Sequence, residues 1–350
     1  MSLGEWAVIA DTHFRPGPKL PLFAKSWAEG IANLASRGIR HLVVGGDLFD
    51  SHKIWKGGHN DPSPVVEAIA CPLADFDMHL HLVTGNHDMN TLGESAFRVF
   101  ASHGRVSLMG PGESIYPLHW QWGKRPERGD YNDQPFVVGH LALIGGRTKA
   151  GGDGVTEDDL PSSEFRATRD ELKSLFPEAQ ILLGHFHLAQ AYGNVQYLGS
   201  PWALGWNEEG YSHPGAFHFS TGERLPFNGP KYRRITCTGE QDVEAALEHW
   251  SPDEVLLVSA KGFRISQQAR KHAREMVHEV EQANGGPVWG EISFHEEVFR
   301  KEGRVSRPSF THHALSDEEL LNMWVEHQAL PPSEQVLADA RTVLKGEEVK

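Results

Sequence analysis

The sequence predicts an α/β fold built on a layered, largely parallel sheet, and three observations lead to it. Five short apolar runs each stop at glycine, aspartate or histidine. Stretches with helical spacing separate those runs, and the pattern changes after residue 232. Strands that alternate with helices give a parallel, layered sheet. In such sheets ligands bind beyond the carboxyl ends of the strands.

The five runs define a site. Trp6–Ala10 stops at Asp11-Thr12-His13, and His41–Val44 stops at Gly45-Gly46-Asp47-Leu48-Phe49-Asp50. His81–Thr84 stops at Gly85-Asn86-His87-Asp88, Phe136–Val138 at Gly139-His140, and Ala179–Leu183 at Gly184-His185-Phe186-His187. Alone, the last pair is weak evidence, because 21 histidines in 350 residues produce such spacings by accident. Five strand ends of one kind are not an accident. The set mixes carboxylate, imidazole and amide oxygen, which suits divalent metals such as Mn²⁺, Zn²⁺ or Fe²⁺. Seven ligands exceed the needs of one tetrahedral zinc. Two metals sharing one bridging carboxylate account for the count.

Helices are predicted between the runs. Trp27, Ile31, Leu34 and Ala35 keep helical spacing up to Gly38, a stop signal. Pro64–Ala70 and Ser95–Ala101 follow the second and third motifs, and Thr168-Arg169-Asp170-Glu171 is a capping box opening Glu171–Phe176. Ser107–Arg128, rich in Gly, Pro and Trp, is expected to be an edge strand and surface loops with little chemistry.

The ordered series D-x-H, G-D-x-x-D, G-N-H-D, G-H and G-H-x-H resembles the calcineurin-type binuclear metallophosphoesterase superfamily. That resemblance implies a layered metallophosphoesterase sheet sandwich flanked by helices. It implies that Asp11, His13 and His187 hold one metal, that Asn86, His140 and His185 hold the other, and that Asp47 bridges them. His87 is then the histidine that faces the scissile phosphate without binding metal, oriented by Asp50. Asn194–Trp202, a strand ending in Gly199-Ser200-Pro201, resembles the segment after the last histidines in SbcD-type double-strand-break-repair nucleases and their phage recombination counterparts. Those usually have proline where this chain has Leu198, and Leu-Gly where it has Phe14-Arg15. Asp47–Asp50 and Gly85–Asp88 match without change. The implied activity is a metal-dependent DNA exonuclease or endonuclease of repair or recombination. A small-molecule phosphodiesterase or phosphomonoesterase would need the same ligands. A non-catalytic scaffold would have no use for a buried charge cluster that costs stability.

Composition bounds the rest. With 39% hydrophobic and 23% charged residues, the chain is an ordinary globular sequence. No apolar run reaches the ~18 residues of a membrane span, and the amino terminus lacks a basic region followed by an apolar core. Cys71 and Cys237 are too few for a disulfide framework, so a cytoplasmic protein is expected, in the host cytoplasm if phage-encoded. The net charge of −14 speaks against a nucleic-acid binder. Two divalent ions add about four positive charges locally, however, and local charge matters more than the total. The loop from His52 and Lys53 through His59 follows the second motif directly and is expected to overhang the metals. It is either a phosphate-gripping loop or a solvated one; Gly145–Lys149 invites the same pair of readings. His41, His79, His103 and His218 read as ordinary surface or strand residues.

Three regions follow: a phosphoesterase domain over 1–232, a small α+β capping domain over 233–310 and a helical tail over 311–350. In the second, Arg233–Cys237, Glu254–Ser259 and Val288–Phe294 read as strands, and Asp242–Trp250 and Ser266–Gln282 as helices. Lys261, Arg264, Arg270, Lys271, Arg274, Arg300, Lys301, Arg304 and Arg307 give it a local basic excess. That excess is a solvated face or, by its place in the resembling nucleases, a DNA-binding cap. In the tail, Ser316–Glu319 is a capping box and Val336, Leu337, Ala340 and Leu344 form an apolar stripe. It packs on the chain's own body or, as the resemblance implies, on an SbcC-type ATPase. No G-x-x-x-x-G-K-[ST] occurs, so ATP dependence would come from such a partner. A homodimer is also left open.

Overall fold

The computed structural model describes residues 2–297, except 18, 54–60, 150, 206, 207, 209, 210 and 287. Its first sheet grows from a central strand, β1, that is buried on both faces. β1 (Trp6–Ile9), β2 (His41–Gly45), β3 (His79–Val83) and β4 (Val106–Leu108) pair in parallel. Parallel neighbours need crossovers, and α1 (Leu20–Ser36) and α2 (Ser63–Asp75) supply the first two. Trp27, Ile31 and Leu34 of α1 are fully buried, and the Trp27 indole N–H donates to the Ile69 carbonyl of α2 at 3.1 Å.

The second sheet repeats the logic with β5 (Ile115–Leu118), β6 (Phe136–His140) and β9 (Gln180–Gly184), again parallel. Between β6 and β9 lie the short pair β7 (Ala142–Ile144) and β8 (Arg166–Thr168), then α3 (Arg169–Leu175). Thr168 and Glu171 form the capping box that the sequence predicts. β10 (Gln190–Tyr192), β11 (Val195–Tyr197), β12 (Ala216–His218) and β13 (Arg224–Leu225) complete orders of β13-β12-β1-β2-β3-β4 and β10-β11-β9-β6-β5. The two sheets face each other through Val8, Ala10 and Val43 on one side and Val138 and Leu182 on the other, all fully buried. The architecture is thus an α/β sheet sandwich flanked by helices.

One local outcome differs from expectation. Ser95–Ala101 is a 3-10 turn, Ala96–Phe100, capped by the Ser95 hydroxyl. Three residues per turn eclipse i and i+3, which lets Phe97 and Phe100 enter the same core. His41 lies in β2, a strand residue as expected, and pairs with His81 of β3 beside Trp6. Their rings lie 4.4 and 4.7 Å from that of Trp6, and His41 Nδ1 is 3.1 Å from His81 Nε2. Burial, reinforced by the neighbouring imidazole of His41, pushes His81 down to about 4.

β14 (Lys231–Cys237), α4 (Glu240–Glu248), β15 (Glu254–Lys261), α5 (Gln267–Asn284) and β16 (Glu291–Glu297) follow. The three strands are parallel in the order β14-β15-β16, because each connection is a crossover helix. Leu256 and Val258 of β15 pack against Val243 and Leu247 of α4 and Ala273 of α5 in a separate core. Met1–Val298 form one compact unit, in which Lys19 pairs with Glu291 at 2.8 Å and the Phe23 and Trp289 rings meet. Two basic residues of α5 have acidic company: Arg270 pairs with Glu296 at 2.7 Å and Lys271 with Glu275 at 3.5 Å. Arg300, Lys301, Arg304, Arg307 and the tail at 311–350 lie outside the described residues. No described helix is long and apolar enough to cross a membrane.

Candidate metal centre

The loops beyond β1 and β2 are laced together, which fixes the first candidate ligands. Asp11 N–H donates to the Gly46 carbonyl at 3.1 Å, His13 N–H to Asp47 at 3.0 Å and Phe14 N–H to Leu48 at 2.8 Å. The fully buried Phe14 and Phe49 anchor the two loops from below. Six non-glycine residues among those described have positive φ, and four are predicted ligands: Asp11 (56°), His13 (48°), Asp47 (52°) and His185 (99°). Such conformations cost about 1–3 kcal/mol each and cluster at functional sites. Gly46 sits at φ 94°, and a Cβ there would fall 2.1 Å from His140 Nδ1. Only glycine lets that ring approach.

The seven predicted ligands meet in one cluster. Donor atoms of Asp11, His13 and His187 lie within 4.8 Å of one another, as do those of Asp11, Asp47 and His140. Asn86 Oδ1 is 3.0 Å from His140 Nε2 and 3.3 Å from His185 Nδ1. Asp47 Oδ2 lies between the two groups, 3.2 Å from His140 Nε2 and 3.6 Å from His13 Nε2. His87 stands at the rim, 42% exposed, with Nε2 4.0 Å from the same oxygen. It too comes within ligand range of His13 and Asp47.

The electrostatics fit divalent cations. Asp11 and Asp47 are buried carboxylates, 0% and 2% exposed, facing imidazole rings. Burial opposes charge on Asp47, but His140, then His13 and His87, hold its carboxyl well below the usual range. Burial likewise opposes charge on His140, and Asp47 overrides it, holding the ring at about 9. Buried charge on this scale persists only when paired. Two divalent ions among these oxygens and nitrogens would take the place of the protons.

Asp50 departs from expectation. His87 Nδ1–H donates to the backbone carbonyl of Asp50 at 2.7 Å, not to its carboxylate. The carboxylate lies 3.6 Å from His13 Nδ1 and 3.9 Å from Arg15 Nη1. The Asp50 N–H is tied to the Phe14 carbonyl at 3.0 Å, and the carboxylate faces the β1 loop. Trp120 is a second correction. Its stretch was expected to carry little chemistry, yet its buried ring lies 5.8 Å from His140 and 5.4 Å from His185. His52 and Lys53 form a turn just after Asp50, and residues 54–60 of the same stretch lie outside the described residues. Arg147 is exposed, its backbone tied to the Gln190 side chain.

Three acids had no predicted role. Asp88, fully buried, accepts N–H groups from Asp47 (2.8 Å), Gly85 (2.9 Å) and Phe49 (3.1 Å), pinning both ligand loops. Burial and the Asp47 carboxylate push it up to about 7. Glu164 Oε1 lies 2.7 Å from His185 Nε2, and Glu208 Oε1 lies 2.5 Å from His187 Nδ1. Asp88 closes the third motif and was in view. Glu164 and Glu208 lie in loops, and no spacing ties them to the histidines.

A buried carboxylate–imidazole cluster at the carboxyl ends of parallel strands defines a metal-dependent hydrolase. Residues 6–212 match the family model for calcineurin-like phosphoesterases. The chain belongs to that family, whose members depend on a binuclear metal centre. Comparison with curated proteins finds no match.

Proposed function

We propose that the chain hydrolyses phosphodiester bonds in DNA, using two divalent ions, Mn²⁺ in the first instance, with Zn²⁺ and Fe²⁺ also suited to this mixed donor set. The observation that supports it most is the convergence of both ligand groups on Asp47, with His87 at the exposed rim. Bound ions would neutralise the phosphate and activate water for attack. Asp11, His13 and His187 would hold one ion, Asn86, His140 and His185 the other, and Asp47 would serve both. The Asp50 carbonyl fixes the His87 ring through Nδ1–H and leaves Nε2 facing the cluster. Protonated on both ring nitrogens, His87 would donate from Nε2 to a phosphate oxygen or give that proton to the leaving oxygen. His52 and Lys53 grip neighbouring phosphates.

DNA as substrate is supported by the likeness of Gly199-Ser200-Pro201, and of the unit beyond residue 232, to SbcD-type nucleases. In the same reading the segment 311–350 binds an SbcC-type ATPase, and pairing of two chains is open. A second reading, hydrolysis of small phosphodiesters or phosphomonoesters, is favoured by the net charge of −14 and by the acidic partners of Arg270 and Lys271. Purified protein with Mn²⁺ is assayed on duplex DNA, bis-nitrophenyl phosphate and a phosphomonoester. Cleavage of DNA supports the nuclease. Turnover of the small esters alone overturns it, and turnover of none overturns the hydrolase.

A further inference from the structure

The two histidines of the Gly184–His187 motif stand two residues apart but present different nitrogens to the cluster. His187 directs Nε2 inward, 3.2 Å from His13 Nε2 and 3.9 Å from Asp11 Oδ1. His185 directs Nδ1 inward, 3.3 Å from Asn86 Oδ1. Imidazole is ambidentate, and the partner held by one ring nitrogen decides which of the two meets the metal. Each outward nitrogen here meets a carboxylate from a distant loop: Glu208 on His187 Nδ1 at 2.5 Å and Glu164 on His185 Nε2 at 2.7 Å.

Glu208 is itself a fixed acceptor. It is 2% exposed, and its second oxygen accepts from Leu204 N–H at 2.9 Å and from the Ser200 hydroxyl at 3.3 Å. That bond gives the Gly199-Ser200-Pro201 segment a physical task, since Ser200 holds the acid that holds His187. Glu164 is 13% exposed, and its backbone N–H is tied to the Pro161 carbonyl at 3.0 Å. A screened surface pair contributes little; a largely buried acceptor of this kind sets ring orientation and tautomer.

We propose that Glu164 and Glu208 are positioning residues, one for each metal. Glu208 accepts Nδ1–H and commits His187 to ligation through Nε2. Glu164 accepts Nε2–H and commits His185 to ligation through Nδ1. The inference rests on the reading that two divalent ions occupy this centre.

Mn²⁺ is titrated calorimetrically into the full chain as wild type, Glu164→Gln and Glu208→Gln, with thermal unfolding of each metal-free form alongside. Glutamine keeps the volume and an acceptor oxygen but loses the charge, so both variants should fold. Each should weaken one binding step about 10–100-fold and leave the other unchanged, and the weakened step should differ between them. Wild-type affinities in both variants overturn the proposal. So does a lower metal-free unfolding temperature with both steps weakened alike, the mark of a merely structural pair. A wild type that takes up fewer than two ions overturns the two-metal reading itself and the positioning claim with it. As a second measurement, long-range ¹⁵N correlation spectra of the Zn²⁺-loaded wild type should show the proton on His187 Nδ1 and on His185 Nε2. The reverse pattern overturns the proposal even if a variant fails to fold.

Discussion

Replacing Gly85 with alanine tests how closely the fold and the metal centre are joined. A methyl there would lie 2.1 Å from Asp47 Oδ1 and 2.5 Å from Asp47 N. Neither atom is free to retreat. Asp47 N–H and Gly85 N–H both donate to Asp88 Oδ2, at 2.8 and 2.9 Å, and Asp47 Oδ1 accepts from His87 N–H at 2.9 Å. Relief requires the loop beyond β2 or β3 to shift by roughly an ångström. Overpacking of this kind costs ~1–3 kcal/mol, and a displacement of that size in a catalytic group can cost about 10²-fold in rate. Urea unfolding of the metal-free protein, with the slope unchanged, measures the first effect. Diester hydrolysis and Mn²⁺ titration measure the second. A Gly85→Ala chain with wild-type stability, two bound ions and full activity would refute the reasoning, because Asp47 would then not be confined by Asp88.

Three further outcomes are expected. His87→Ala keeps both metals and loses activity by ~10²–10⁴-fold; loss of metal with the activity would make His87 a ligand, a role within reach of its place beside His13 and Asp47. Because Asp47 overcomes burial and holds His140 at about 9, the metal-free ring is protonated at neutral pH and must lose that proton to ligate. Metal uptake should therefore release protons, and affinity should rise as pH approaches about 9; calorimetry in buffers of different ionisation enthalpy that finds no release contradicts this. At the other end of the sheet, burial holds His81 neutral down to about 4, against roughly 6.5 in the unfolded chain. Its contribution is present above ~6.5 and is lost as pH falls toward about 4, at most about 3 kcal/mol. The pH dependence of urea midpoints should flatten over that range in His81→Gln, and an unchanged slope would count against it.

The cluster of candidate ligands was legible because each of its residues follows an apolar run. Where strands pair in parallel, the residues past their carboxyl ends meet whatever the chain does between them. Helix starts were legible where a side chain caps locally, as at Thr168, and the alternation after residue 232 was legible from spacing alone. What failed to show depends on contacts made across the fold. Glu164 and Glu208 reach the histidines from loops that bear no periodic signal. Trp120 looks like a loop aromatic until the second sheet brings it under His140 and His185. The Asp50 carboxylate turns to His13 and Arg15 across the loops, which no motif encodes. The stacking of His41 and His81 on Trp6 follows from strand order, and strand order is not local information.

The most direct test is a count of metal ions per chain by inductively coupled plasma mass spectrometry, for wild type and Asp47→Ala purified with Mn²⁺. Asp47 Oδ2 lies between both ligand groups, 3.2 Å from His140 Nε2 and 3.6 Å from His13 Nε2, so its loss should weaken both ions together. The expected result is two ions in the wild type, with marked loss of both and no hydrolysis in the variant. One ion in the wild type, or two at full occupancy in Asp47→Ala, would contradict a centre built around a shared carboxylate.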